Sequence, residues 1–309
     1  MGDNSRINWI DTAKGIGIVL VVIGHTSFFP KAIIDMIFTF HMPLFFFLSG
    51  YVFREKSNFY VAQIKQLLLK YVILSFAFST SYCYLSGGRY PDYVKSMIYS
   101  EWESSDPATP LWFLLSLFFV KCVYNAIYKY KHKDLMCLVL MGCGFALSSF
   151  GAPIRALNAS LVGIFFFALG KMERDRNVLL YKNSRKENYV VVGCCILIVI
   201  ISLINGRVDM NAGQYNNILL FIIGSLAGIA VVVIVAQRTI KYQILSVLGR
   251  NSLTIYLLHM YVVVILQCIE MRFDISMDTK IKIINKLLSF VIMGMVIVVS
   301  EVRKGRSIK

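Results

Sequence analysis

The chain has 309 residues, of which 57% are hydrophobic and only 16% are charged, and its mean hydropathy is +0.66. Because charged residues make up about 25% of an ordinary soluble domain, this composition excludes that class and predicts an integral membrane protein. The formal net charge of +15 is spread between apolar runs rather than gathered on one segment, which argues against a nucleic-acid partner.

Ten apolar runs approach the roughly 20 residues that are needed to cross the hydrocarbon of a bilayer. They occupy residues 10–29, 36–53, 67–85, 111–128, 135–150, 157–171, 189–204, 217–236, 251–269 and 283–300. The fifth and sixth runs are short, and tilted or partly re-entrant segments are the alternative for them. We therefore predict an all-α, polytopic membrane protein of about ten transmembrane helices. Residues 1–309 are expected to form one transmembrane domain without an appended soluble domain.

Lysine and arginine follow the alternation of these runs. If the N-terminus lies inside, the loops on that side carry more than twice as many of these residues as the opposite loops. Since cytoplasmic loops are enriched in Lys and Arg, both termini are predicted to be cytoplasmic and the protein is expected in the cytoplasmic membrane. The seven cysteines lie in or beside apolar runs without the spacing of zinc ligands, so no metal site is predicted.

The first run carries three polar residues that lipid should reject: Asp11, Lys14 and His25. At 100° per residue they fall within an arc of roughly 60°. A charge at the centre of a spanning helix costs about 2.5 to 3.5 kcal/mol, and such groups usually face a bundle interior or a wet cavity. Asp11 and His25 are separated by roughly 21 Å along a helix, so they are predicted to act at different depths.

The second run returns through the membrane and carries His41, whose depth should be similar to that of His25. The two histidines are therefore predicted to share one site, and a structural hydrogen bond is the alternative role for His41. Pro43 can free a backbone carbonyl and bend the helix towards a cavity. Gly50 is expected to permit close helix packing.

The longest external connection, residues 86–110, is aromatic and mildly acidic. A solvated loop with an interfacial helix is one interpretation, and a lid over an outward-facing site is the other. Trp112 follows this connection at the end of a predicted span. It is expected to be an interfacial anchor, with a platform for stacking a sugar as the alternative.

The ninth run is interrupted by polar side chains, among them Asn251, Tyr256 and His259. Tyr256 and His259 are three residues apart and share a helix face. The residues alone leave open whether these groups form a packing network or contribute to substrate binding.

Four segments, taken in order, resemble a known family. They are DTAKGIGIVLVVIGH, FHMPLFFFLSGYVF, PLWFLLSLFFV and LGRNSLTIYLLH. The first, together with Arg6, carries a pattern of a basic residue, Asp11, Lys14 and His25. In these features the chain resembles the acyltransferase 3 family of membrane O-acyltransferases, and it is similar to the fucose 4-O-acetylase-like branch over nearly its whole length.

The resemblance implies a ten-helix enzyme of the cytoplasmic membrane that transfers acetyl from cytoplasmic acetyl-CoA to a hydroxyl of a cell-surface polysaccharide or its lipid-linked precursor. It implies no bound cofactor, since acetyl-CoA is the acyl-donor substrate. The essential histidine of the family falls on His25. The conserved basic position falls on Lys14, where many relatives have Arg, and the paired arginines of relatives correspond loosely to Lys65 and Lys70. His259 and Asn251 enter as substrate-site candidates through the same resemblance.

Acyl transfer to an alcohol needs a base that removes the hydroxyl proton. Imidazole suits this role near neutral pH, so His25 is the predicted catalytic residue, either as the base or as a transient acetyl acceptor. Lys14, Lys65 and Lys70 are predicted to hold the phosphates of CoA, with Asp11 orienting Lys14. A simple neutralising pair of Asp11 and Lys14 is the alternative.

A membrane transporter of a small polar or glycan substrate is the second hypothesis, because polar groups at two depths also suit a substrate pathway. The sequence does not predict the acceptor sugar or the oligomeric state.

Overall fold

The computed structural model describes residues 7–25, 29–86, 89–99, 108–151, 154–176, 185–272 and the single position 294. Within these ranges the chain is helical and has no β-strand, so the predicted all-α class is confirmed. The described α-helices are α1 Asn8–Gly24, α2 Lys31–Tyr51, α3 Phe59–Gln63, α4 Leu69–Ser86, α5 Tyr90–Tyr99, α6 Trp112–Ile127, α7 Lys133–Ser149, α8 Arg155–Arg176, α9 Arg185–Asn205, α10 Ile218–Arg238, α11 Gln243–Arg250 and α12 Ser252–Arg272. A π-helical turn, Ile64–Leu68, joins α3 to α4, and a 3₁₀ turn, Thr109–Leu111, precedes α6.

In the described ranges, six helical segments are long and apolar enough to cross a membrane, which confirms a polytopic chain. They are Lys31–Tyr51, Phe59–Leu85, Thr109–Ile127, Arg155–Arg176, Lys186–Asn205 and Ile218–Arg238. The first nine predicted runs each lie on a described helix, and the tenth, 283–300, lies outside the described residues. The total of ten spans and the cytoplasmic placement of both termini stay predictions.

Two helix boundaries differ from the sequence prediction. The first run was expected to reach residue 29, but α1 ends at Gly24, where the backbone N–H of His25 caps the carbonyls of Val21 and Val22. Helix α2 already begins at Lys31, directly after Pro30. Proline disfavours the helical conformation in the residue before it and supplies a suitable φ at a helix start, so the connection between the two helices is short.

The helices α1 and α2 form the centre of the bundle. Helix α1 packs mainly against α11 and also contacts α2, α10 and α12, while α2 packs against α8, α10, α1 and α9. By contrast, the most apolar stretches of two outer segments are largely exposed. Only 17% of that stretch is buried in Lys186–Asn205, and only 28% in Phe59–Leu85. The polar first helix is therefore shielded by other helices, and apolar side chains of the outer helices are left to face lipid.

Glycines bring the backbones of the central helices into contact. A β-carbon at Gly15 of α1 would lie 2.0 Å from the carbonyl oxygen of Leu245, and one at Gly249 would lie 1.7 Å from that of Asp11. A β-carbon at Gly50 would lie 1.9 Å from the carbonyl oxygen of Phe167 in α8, as the predicted packing role of Gly50 requires. Small residues allow such close approach between membrane helices, and any side chain at these positions would force the helices apart.

Pro43 breaks the hydrogen-bond ladder of α2 in its buried middle. Proline has no N–H to donate to the carbonyl four residues earlier, which belongs to Thr39. The Ser225 hydroxyl of α10 donates to this carbonyl at 2.8 Å, and the side chain of Thr39 packs where a β-carbon at Gly224 would be. The carbonyl predicted to be freed by Pro43 thus joins α2 to α10.

Candidate active site

A cavity of about 50 Å³ lies at the end of α1. This exceeds the volume that one ordered water needs, about 10 to 15 Å³. The walls come from α2, the 3₁₀ turn before α6, α12 and the connection between α9 and α10. The lining residues are His25, Phe38, His41, Met42, Thr109, Pro110, Trp112, Asp209, Met210, Asn211 and Tyr256. Three predicted site residues, His25, His41 and Trp112, therefore line one cavity.

His25 is the first residue after α1, and its exposed side chain lines the cavity. Its ring centroid lies 5.1 Å from that of His259 and 5.7 Å from that of Phe38. The His25 ring forms no hydrogen bond with any residue in the described ranges. It is the histidine of this group with the greatest freedom to meet a substrate.

The His41 ring is buried, with 4% of the residue exposed, and its orientation is set by its own helix. Its Nδ1 lies 2.9 Å from the carbonyl oxygen of Ile37. A carbonyl oxygen only accepts, so Nδ1 must carry the proton and Nε2 carries the lone pair. The Phe38 ring contacts both histidines, with its centroid 4.9 Å from that of His41 and 5.7 Å from that of His25.

His259 on α12 repeats this arrangement beside His25. Its Nδ1 donates to the carbonyl oxygen of Tyr256 at 2.7 Å, so its lone pair also lies on Nε2. The residue is 3% exposed, and Nε2 has no hydrogen-bond partner among the described residues. A buried acceptor without a donor is rare in native structures, which makes His259 Nε2 a candidate for accepting a proton during a reaction beside His25.

Tyr256 and Trp112 form the wall near the start of α6. The Tyr256 hydroxyl donates to the carbonyl oxygen of Pro110, which ties α12 to the 3₁₀ turn. Trp112 follows this turn, is 6% exposed and is one of the residues that line the cavity. This position differs from that of a purely interfacial anchor, because Trp112 lines the same cavity as His25 and His41.

The remaining wall is the connection 205–217 between α9 and α10, which contributes Asp209, Met210 and Asn211. These residues were not among the predicted site residues. The sequence of this connection, NGRVDMNAGQYNN, is dense in Asn and Gly and lies between two apolar runs, which is a signal of turns rather than of chemistry. Above the same cavity, the guanidinium of Arg207 lies 4.0 Å from the centroid of the Phe38 ring, a cation–π contact.

The sequence profile of a family described as an acyltransferase domain matches residues 7–300. The chain belongs to the acyltransferase 3 family. No curated protein and no solved structure matches it. The fucose 4-O-acetylase-like branch stays a prediction.

The opposite end of α1 in this acyltransferase holds the other predicted residues. Asp11 is 8% exposed and Lys14 is half-buried, at the contact between α1 and α11. There the hydroxyls of Thr12 and Ser246 lie 3.2 Å apart. Lys121 of α6 interacts electrostatically with Lys14, so two basic groups meet beside α1 at a distance from the histidines.

Lys65 lies on the π-helical turn and Lys70 at the start of α4, and both side chains are exposed. Lys56, which precedes α3, interacts electrostatically with Lys121. The assignment of Lys65 and Lys70 to the donor site therefore stays a prediction.

Asn251 lies outside the cavity, between α11 and α12. It is 4% exposed, and its side-chain amide donates to the carbonyl oxygen of Val247 at 2.9 Å. Its own carbonyl accepts the N–H of Ile255 in α12. This geometry favours the packing alternative for Asn251, since it joins two helices at the corner that positions Tyr256 and His259.

Proposed function

We propose that this membrane acyltransferase moves an acetyl group from cytoplasmic acetyl-CoA to a hydroxyl of a cell-surface polysaccharide or of its lipid-linked precursor. The observation that carries the proposal is the cavity at the end of α1. His25 lines it, and two further histidines with the lone pair on Nε2 stand beside it. The three histidines are bases around a space for one reacting group. Together with the family match, this arrangement supports acyl transfer.

Direct transfer requires one base and one displacement. An Nε2 lone pair accepts the proton of the acceptor hydroxyl while the hydroxyl oxygen attacks the thioester carbonyl carbon. The C–S bond of the resulting tetrahedral species then breaks, and the CoA thiolate leaves and takes the proton from the imidazolium. We assign the base to His25, because the His41 and His259 rings are fixed to their own helices.

Transfer through His25 is the second route. Its ring nitrogen attacks the thioester carbonyl carbon, the C–S bond breaks, and the proton lost from the His25 ring ends on the CoA thiolate. The acceptor hydroxyl then attacks the acetyl-imidazole, and its proton returns to the His25 ring as the ester forms. In this route His259 Nε2 accepts the proton from the His25 ring, whose centroid lies 5.1 Å from that of His259, and releases it to the thiolate. The routes differ in whether labelled acetyl stays on the protein in the absence of an acceptor.

The donor is proposed to approach from the Lys14 end of α1. Lys14 and His25 are eleven residues apart, which corresponds to about 16 Å along a helix. A phosphate-bearing head held by Lys14 and Lys121 would leave the extended pantetheine arm to cover this distance to the cavity. Asp11 lies one turn before Lys14 and orients it in this proposal.

The test uses full-length protein in detergent with radiolabelled acetyl-CoA and a panel of p-nitrophenyl glycosides. We expect label transfer to at least one glycoside, and a loss of about 10²-fold or more in His25→Ala. His132→Ala is the matched control, because His132 is exposed at the start of α7. Unchanged transfer in a folded His25→Ala protein would reject the mechanism, and glycan flux without acetylation would favour the transporter.

A further inference from the structure

We propose that Asp209 and Asn211 form the acceptor-recognition site and bind hydroxyls of a pyranose ring that stacks on Trp112. This inference rests on the proposed function and adds to it the residues that choose the acceptor. The three residues line the same cavity as His25, so a ring bound there presents one of its hydroxyls to the catalytic imidazole.

The connection 205–217 is built as an ordered turn. Asp209 and Gln214 exchange backbone hydrogen bonds of 2.8 Å in both directions. The Asn216 side chain donates to the carbonyl oxygens of Asn205 and Arg207 at 2.6 and 2.9 Å. An ordered turn can hold ligand-binding side chains at fixed positions, which specificity requires.

Asn211 provides the direct sign of a ligand. The residue is 9% exposed, yet its side-chain oxygen Oδ1 has no hydrogen-bond partner among the described residues. Buried polar atoms of native proteins are almost always paired. Because Asn211 also lines the cavity, a hydroxyl of a bound molecule is the natural donor to this oxygen.

Asp209 adds a charged acceptor at the same wall. Its Oδ1 accepts the backbone N–H groups of Asn211 and Ala212 at 2.9 and 3.2 Å. These bonds fix the side chain, and the second oxygen, Oδ2, is left for a ligand hydroxyl. A carboxylate and an amide oxygen then accept hydrogen bonds from two hydroxyls of one ring.

Trp112 supplies the apolar surface that completes the site. The C–H face of a pyranose is apolar, whereas its edge carries hydroxyls, so an aromatic ring combined with acceptors recognises both. A linear alkanol would satisfy neither Asn211 nor Asp209. The chemistry therefore selects a sugar with two neighbouring free hydroxyls besides the one that is acetylated.

The test compares Asp209→Asn and Asn211→Leu with wild type, using radiolabelled acetyl-CoA and the p-nitrophenyl glycosides of glucose, galactose, mannose and fucose. Asp209→Asn keeps an oxygen that can accept the two turn N–H groups, and Asn211→Leu replaces an unpaired polar group by an apolar one of similar size. Both proteins should therefore fold, which is checked by thermal unfolding, and Asn211→Ser is the substitute if Asn211→Leu does not. Asp92→Asn on the exposed helix α5 is the matched control.

We expect the KM for the preferred glycoside to rise at least tenfold in both variants, while the KM for acetyl-CoA stays within twofold of wild type. A deoxy analogue that lacks the recognised hydroxyl should lose affinity in wild type but not further in Asn211→Leu. An unchanged glycoside KM, an equal rise in the acetyl-CoA KM, or wild-type transfer to 1-octanol as efficient as to every glycoside would overturn the site. Absence of transfer from acetyl-CoA to any alcohol would instead reject the proposed function itself.

Discussion

The carbonyl oxygen of Thr39 in α2 accepts a 2.8 Å hydrogen bond from the Ser225 hydroxyl of α10, at the level where Pro43 leaves the helix without an N–H donor. Ser225→Ala should therefore leave a buried carbonyl unpaired and lower the free energy of unfolding by about 1 to 3 kcal/mol. Unfolding in detergent, followed by circular dichroism, measures the loss. Thr239→Ala is the control, because the Thr239 hydroxyl only donates within its own helix, to Val235.

A double variant tests the cause of that loss. Pro43→Ala restores a backbone N–H that can donate to Thr39, so Ser225→Ala should cost less in the Pro43→Ala background than in wild type. Equal costs in the two backgrounds would show that Ser225 stabilises the bundle in another way.

His259 is expected to support His25 rather than to bind substrate. His259→Phe removes the Nε2 lone pair beside His25 and should lower kcat by about 10²-fold, with both KM values nearly unchanged. His132→Phe in the exposed connection before α7 should leave kcat as it is. A large rise in either KM with an unchanged kcat would instead make His259 a binding residue.

Gly249→Ala should separate α11 from α1, because the added β-carbon would lie 1.7 Å from the Asp11 carbonyl oxygen. Overpacking of this kind typically costs about 1 to 3 kcal/mol, and we expect a lower midpoint of thermal unfolding and a higher KM for acetyl-CoA. Gly142→Ala in α7 is the matched control, since no atom lies within 4 Å of its added β-carbon. A Gly249→Ala protein as stable as Gly142→Ala would contradict the close contact.

Lys14→Gln and Lys121→Gln are each expected to raise the KM for acetyl-CoA about tenfold without changing the KM for the acceptor. The physical reason is that both side chains carry charge at the same end of α1, where the CoA phosphates are proposed to bind. The wild-type KM for acetyl-CoA should also rise with ionic strength, and less steeply in the variants. Lys241→Gln in an exposed connection serves as the control, and identical salt dependence in all proteins would exclude a role in binding the phosphates.

One ion pair outside the membrane gives a prediction about pH. Lys129 lies 2.7 Å from Glu55 and lowers the pKa of the Glu55 carboxyl by hydrogen bonding. A lowered folded-state pKa stabilises the protein above the unfolded pKa, and this contribution is lost as the pH falls through the folded value. Glu55→Gln should therefore reduce the unfolding midpoint slightly at pH 7, and this difference should vanish as the pH falls through the lowered pKa of Glu55. A difference that persists in acid would have another origin.

Much of the membrane architecture follows from the order of apolar runs, because burial of about 20 apolar residues leaves few alternatives to a helix. The placement of His25 and His41 on one cavity was also predictable, since α2 returns through the bundle in contact with α1. The position of Trp112 in the cavity wall was open between two interpretations. It is decided by the short turn at Pro110 that Tyr256 holds in place.

Asp209 and Asn211 could not be found in the same way. They lie in a turn whose residues lack helical or strand periodicity, so the sequence contains no rule for the direction of their side chains. Only the folding of that turn against α2, where Arg207 lies over Phe38, brings them to the cavity that His25 lines. The end of α1 at Gly24 was missed for a related reason, because the apolar run in the sequence continues to Phe29.

The shortness of α1 bears on the molecules that can be acetylated. Its 17 residues span about 25 Å, less than the roughly 30 Å of bilayer hydrocarbon. If α1 begins at one boundary of the hydrocarbon, the His25 imidazole that follows this helix lies several ångströms inside the opposite boundary. An acceptor must then dip beneath the headgroups, which a sugar tethered to a lipid carrier does more readily than a unit in the middle of a long, hydrated polymer.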